Sequence, residues 1–140
     1  MSSIRKFRAL SLVAAPVIAL GFSGEAAAYD GNTVVYLGTS TSSAARMIHV
    51  DNGDTFRVYD DRSDGHGVRG WLEVNAPDPG GSGSQWVHQH TSYNGGGLDS
   101  YSYFYKDVQS PFPYRMKVCT VDGPDDTTPV ACSAWKTFYE

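Results

Sequence analysis

Val68-Arg69-Gly70-Trp71-Leu72-Glu73-Val74 decides the fold class, because its residues alternate with the period of two that belongs to a β-strand. Val68, Gly70, Leu72 and Val74 fall on one side and read as core, while Arg69, Trp71 and Glu73 fall on the other. Runs of the same kind lie on both sides of it. They are Thr33 to Leu37, Arg46 to Val50, Thr55 to Tyr59, Gln85 to Thr91, Ser100 to Tyr105, Tyr114 to Thr120 and Val130 to Phe138, rich in β-branched and aromatic residues.

Turn formers separate these runs. Asp51-Asn52-Gly53-Asp54 predicts a tight hairpin, Pro77 to Gly83 and Asn94-Gly95-Gly96-Gly97 predict loops, and Ser110-Pro111-Phe112-Pro113 predicts a sharp bend. Helical periodicity is sustained nowhere after the leader, and only Ser42 to Met47 leaves room for a short helical turn. About eight short strands therefore predict an all-β chain, folded as a single-domain antiparallel β-sandwich. In the last hairpin, Met116, Val118 and Trp135 are expected to share the inner face, with Arg115, Lys117 and Lys136 outside. That makes Trp135 the expected core anchor.

Residues 1–28 read as an export signal. Arg5, Lys6 and Arg8 form a basic head, an apolar stretch runs from Ala9 to Phe22, and Ala26-Ala27-Ala28 offers small residues for cleavage before Tyr29. The apolar stretch falls short of the roughly 20 residues that span a bilayer. Residues 29–140 are thus expected to form one secreted domain, with no membrane span. Without the leader the chain keeps 8 Lys plus Arg against 14 Asp plus Glu, a formal charge of −6. Such a surface repels nucleic acid and anionic lipid, and no basic stripe reverses this. No nucleic-acid partner is expected.

Cys119 and Cys132 are the only cysteines, and Asp122-Gly123-Pro124-Asp125-Asp126 and Pro129 lie between them. In an exported chain this spacing predicts a disulfide at the base of a hairpin, and it is far from a Cys-x-x-Cys redox or metal pair.

Four features bear on chemistry. Asp60-Asp61-Arg62-Ser63-Asp64-Gly65-His66-Gly67 clusters three carboxylates, Asp60, Asp61 and Asp64, the raw material of an oxygen-rich calcium site. The EF-hand template fails there, since Arg62 stands at the third ligand position and Trp71 at the twelfth. An irregular calcium site and a plain loop with aspartates on backbone N–H groups both remain open; no other cofactor is implied. His88-Gln89-His90 on a regular strand would put both imidazoles on one face, beside Trp86, either as half a zinc site or as a border of the core.

Aromatic density is the third feature. Tyr101, Tyr103 and Tyr105 line one side of a single strand, with Trp86 nearby in sequence. Burial is the commoner fate of such a row; turned outward, it becomes a platform for sugar rings or for a protein partner. The fourth is the acidic loop Asp122 to Pro129, which pre-organisation would suit to an inhibitor and which otherwise is a solvated hairpin tip. Catalysis has little material. No Gly-x-Ser-x-Gly elbow occurs, both cysteines are used, and Glu73 and Glu140 are the only glutamates after the leader.

Gly53-Asp54-Thr55-Phe56-Arg57-Val58-Tyr59-Asp60, with Ser63-Asp64-Gly65-His66-Gly67-Val68 and the ending Cys132-Ser133-Ala134-Trp135, resembles an element of small secreted β-rich proteins of filamentous actinobacteria. The resemblance covers about a quarter of the exported chain. It implies a compact exported β-domain and carries no catalytic residue. The expectation from sequence is a secreted, non-catalytic protein that works by binding or structural contact with an extracellular polymer or protein. A carbohydrate-binding module and a small enzyme inhibitor are the alternatives.

Overall fold

The structure, a computed structural model, describes residues 31–140. The export signal expected over residues 1–28 lies outside the described residues. Nine strands follow one another: β1 (Thr33–Thr39), β2 (Ser42–Val50), β3 (Thr55–Asp60), β4 (Gly67–Pro77), β5 (Ser84–Asn94), β6 (Tyr101–Tyr105), β7 (Tyr114–Val121), β8 (Ala131–Cys132) and β9 (Lys136–Phe138). Among the described residues no helix is long and apolar enough to cross a membrane.

All pairings are antiparallel. One sheet has the order β1-β2-β3-β6, and the other has the order β5-β4-β7, with β8 and β9 both pairing β7. The alternation of β4 is realised as expected: Val68, Gly70, Leu72 and Val74 are buried, and Arg69, Trp71 and Glu73 are not. Met47, Phe56, Val58 and Phe104 of the first sheet meet Val68, Leu72, Met116 and Val118 of the second, with Tyr114 and Phe138 completing the core. The result is an antiparallel β-sandwich. Each large apolar side chain buried this way contributes about 1.5–3 kcal/mol. Gly70 lies directly against side chains of the facing sheet. A Cβ on it would lie 2.6 Å from the Val58 side chain and 2.8 Å from the Met47 sulfur, so even alanine requires these facing side chains to shift.

Three single-residue irregularities bend these strands, and each changes an expectation. Between Leu37 and Gly38 the register of β1 with β2 shifts, leaving Ala44 as the extra residue, so Ala44 and Ala45 are both buried. Gly38 takes φ +116, and a Cβ there would meet the Ser42 carbonyl at 2.5 Å. Ser42 to Met47, where a helical turn was possible, is therefore extended. Between Leu72 and Glu73 the register of β4 with β5 shifts in the same way, with Gln89 extra.

The third irregularity divides the expected last strand in two. Cys132 pairs Cys119 but Lys136 pairs Met116, so three residues of the return strand face two of β7. Ser133 bridges the gap: its N–H donates to the Val118 carbonyl at 2.9 Å, and its hydroxyl accepts from the Val118 N–H at 3.0 Å. One added residue reverses the side-chain alternation. Trp135 is turned away from the core, and Phe138, opposite Tyr114, is the anchor instead.

At one end of the sandwich His49 is buried, stacked between Phe56 and Phe138 with ring centroids 4.6 and 4.9 Å away. Its Nε2 lies 3.0 Å from Asp54 Oδ1, while Asp54 Oδ2 accepts the Val108 N–H at 3.0 Å. Polar groups close the side where β5 crosses β6. The Ser92 and Ser102 hydroxyls meet at 2.8 Å, and the Asn94 amide donates to the carbonyls of Val58 and Ser100 at 3.2 and 2.9 Å. These bonds fix β6 at the margin of its sheet.

Candidate functional site

β6 pairs β3 along its whole length, with Tyr101 opposite Tyr59, Tyr103 opposite Arg57 and Tyr105 opposite Thr55. Phe104 and Ser102 point inward against the other sheet, so the three tyrosines must point outward. They are 50, 59 and 70 % exposed. The commoner expectation of burial is thus overturned: the row is a surface feature. Ring centroids step by 6.5 Å from Tyr101 to Tyr103 and by 5.7 Å from Tyr103 to Tyr105, with planes inclined by 54° and 81°. Tyr59 continues the row, 5.0 Å from Tyr101.

Two guanidinium groups lie along this face. Arg46 stands over Tyr59 at 4.2 Å and is neutralised by Asp61 at 2.6 Å, whose other oxygen accepts the Ser43 hydroxyl at 2.5 Å. Arg57 lies 5.7 Å from the centre of the Tyr101 ring. It forms no ion pair among the described residues. Thr55, Arg57, Tyr101, Tyr103 and Tyr105 together line a shallow depression of about 260 Å³. Arg57 was not singled out in the sequence, although the alternation of Thr55-Phe56-Arg57-Val58-Tyr59 places it on the outer face.

Trp86 belongs elsewhere. It pairs Asn75 on the outer face of the second sheet, with the Arg115 guanidinium 4.2 Å from its ring. The other side of Arg115 covers Trp135 at 4.3 Å, and Lys117 lies 4.7 Å from Trp135 and 5.1 Å from Trp71. All three tryptophans are half-buried in this ladder of rings and cations. Glu73 ties it down through a pair with Arg115 at 2.6 Å.

The three aspartates that an irregular calcium site would bring together are directed apart, as in the plain-loop alternative. Asp60 is buried, its Oδ1 accepting the Arg62 N–H at 3.1 Å and its Oδ2 without a partner. Burial raises its pKa above the usual carboxylate range; the Arg62 N–H opposes this, and the charges of Asp64 and Asp61 add to it. Asp61 is engaged by Arg46 and Ser43, and Asp64 caps the His66 N–H at 3.0 Å in the open. Among the described residues no three His, Cys, Asp or Glu side chains are grouped to hold a metal.

The histidine pair is split as well. Because Gln89 is the extra residue, His88 faces outward opposite Glu73, while His90, opposite Leu72, turns to the other side of the strand and stacks on Phe104 at 4.0 Å at the open edge of the sandwich, where it stays exposed. Burial against that ring, and then the charge of His88, hold the His90 imidazole below its usual pKa. Cys119 and Cys132 are bonded, as expected; intramolecular disulfides are typical of extracellular proteins.

The acidic loop is held against the body. Arg69 donates to the Asp126 carbonyl at 2.8 Å and to the Pro124 carbonyl. The Asp126 carboxylate accepts the Asp122 N–H at 2.8 Å, with the Thr128 hydroxyl at 2.7 Å and N–H at 2.8 Å on its other oxygen. Those bonds bring its pKa down to about 2. No family model matches the chain, and no curated protein or solved structure is significantly similar to it.

Proposed function

We propose that this protein is a secreted, non-catalytic binding module whose four-stranded sheet holds a single chain of an extracellular polysaccharide on its outer face. The observation that carries this reading is the exposed row Tyr101, Tyr103 and Tyr105. Flat rings with polar rims bury area at little cost in side-chain entropy, and their π-faces suit the C–H surfaces of sugars. Three identical side chains at regular steps suit a partner that repeats, as a polymer does. Their inclinations of 54° and 81° disfavour a flat crystalline surface, which needs coplanar rings, and favour one twisted chain.

Export is supported by the leader and by the disulfide. Non-catalytic action is supported by the state of the nearby acids: Asp60 is buried and Asp61 is committed to Arg46 and Ser43. An inhibitor reading gains little from a loop that Arg69 fastens to the sheet.

Affinity electrophoresis through gels containing soluble plant, fungal and bacterial polysaccharides tests the proposal. At least one polymer should retard the mature protein, and Tyr103→Thr should abolish most of that retardation with an unchanged circular dichroism spectrum. Equal mobility of both proteins in every gel would defeat it. So would capture of a secreted protein through the same tyrosines.

A further inference from the structure

Arg57 stands in the middle of the tyrosine face without a counter-charge among the described residues, in a chain where acids outnumber bases. Phe56 and Val58 on either side of it are fully buried, so its side chain is directed outward, opposite Tyr103 and beside Tyr101. Of 14 carboxyl side chains after the leader, none among the described residues lies within 4.0 Å of it. Arg46, one strand away, shows the alternative: it also covers a tyrosine, but Asp61 neutralises it. The face thus carries one quenched guanidinium and one open one.

A guanidinium offers a planar fork of N–H donors that matches the two oxygens of a carboxylate. Stacked near an aromatic ring, its plane is held and less freedom is lost when it binds. Sugar hydroxyls are neutral acceptors, and a guanidinium bonds them about half as strongly as it bonds an ionised carboxylate. We propose that the polysaccharide held here is acidic, a uronic-acid chain whose carboxylate docks on Arg57 while Tyr101, Tyr103 and Tyr105 lie against neighbouring sugar rings. This rests on the reading of the tyrosine face given above, and it names the ligand class and the residue that selects it.

The formal charge of −6 opposes any polyanion at long range. At about 0.15 M ionic strength that repulsion is screened beyond roughly 8 Å, whereas a contact pair is screened much less. Selectivity for carboxylate is therefore set by contact with Arg57 and not by overall attraction.

The experiment compares polygalacturonate and alginate with their carboxyl-reduced counterparts, a neutral β-glucan and dextran sulfate, all at this ionic strength. Wild-type protein should bind at least one uronate polymer about tenfold or more tightly than its carboxyl-reduced form. Arg57→Gln should remove that preference, and Arg57→Lys should restore only part of it, because lysine keeps the charge but loses the fork. Residual binding by Arg57→Gln should still depend on Tyr103. Equal binding to native and reduced polymers, or a preference for sulfate, would overturn the carboxylate assignment while leaving the tyrosine platform standing. Binding to no polysaccharide, or binding indifferent to Tyr103→Thr, would overturn both.

Discussion

The two outer faces of the sandwich are made from the same materials, aromatic rings and cations, and they are in opposite states. On the β5-β4-β7 face each tryptophan has a cation against it, and the two guanidinium groups are fastened in turn, Arg115 to Glu73 and Arg69 to two loop carbonyls, while Lys117 forms no ion pair among the described residues. On the β1-β2-β3-β6 face the rings are 50 to 70 % exposed along β6, and Arg57 pairs with no carboxylate among the described residues. An aromatic and cationic surface is braced where its guanidinium groups are engaged internally, and open where they are not. Composition alone does not distinguish the two.

The largest expected effect lies on the braced side. The disulfide joins buried Cys119 of β7 to exposed Cys132, three residues before Trp135, so it ties the tryptophan ladder to the core. Replacing both cysteines with serine releases a ring with a sequence separation of 13 and should cost about 3 kcal/mol. Urea denaturation should report it, with polysaccharide binding retained in the fraction still folded. Loss of binding in that folded fraction would mean that the two faces are not independent.

Arg115→Ala comes next. It withdraws the spacer between Trp86 and Trp135 and leaves Glu73, only 19 % exposed, without its partner. A cost of about 2 kcal/mol is expected, from the unpaired carboxylate and the lost contacts with the rings. Denaturation of this variant should shift while its affinity for the polymer stays within about twofold. A variant as stable as wild type would show that the ladder is decoration and that its tryptophans are free to bind.

What the sequence showed and what it hid differ for a physical reason. Alternation in β3, β4 and β7 was readable because regular strands obey a period of two, and with it the sandwich, the core of Val68, Leu72, Met116 and Val118, and the outward side of Arg69 and Trp71. The disulfide was readable because two lone cysteines behind a leader that reads as an export signal have only each other. The misplaced residues lie beyond a bulge: Trp135 after Ser133, and the His88 and His90 pair around Gln89. A bulge costs little and has no composition of its own, yet it reverses every side chain that follows. Exposure of the tyrosine row was hidden for another reason. Alternation divides a strand into two sides but does not say which side meets the opposite sheet when Phe104 and Ser102 alternate with three tyrosines.

Acid should act on the two faces with opposite signs. Asp126, which orders the loop carried by Arg69, has its pKa lowered to about 2, so its contribution is complete above the ordinary value of 3.8 and is lost as pH falls through 2. Asp60, at the end of β3, has its pKa raised by burial; the folded state keeps its proton longer, and stability is lost as pH rises from 3.8 through the raised value. Asp60→Asn should therefore melt above wild type at pH 7, with the gap closing toward pH 3. Asp126→Asn should melt below wild type at pH 7, with that gap also closing in acid. A gap of the same sign for both variants would remove the distinction.

The smallest stability effect is expected for the substitution that matters most to the proposed binding. Tyr103 is 59 % exposed, touches its row neighbours at ring centroid distances of 6.5 and 5.7 Å, and has no cation within stacking reach. Tyr103→Thr keeps a residue of high β-propensity on the strand, so the loss reduces to cross-strand and neighbour contacts, about 0.5 kcal/mol or less. Thermal melting should barely move. If it instead falls as far as for Arg115→Ala, the tyrosines are braces too, and the open face is a second ladder whose partner is the sheet itself.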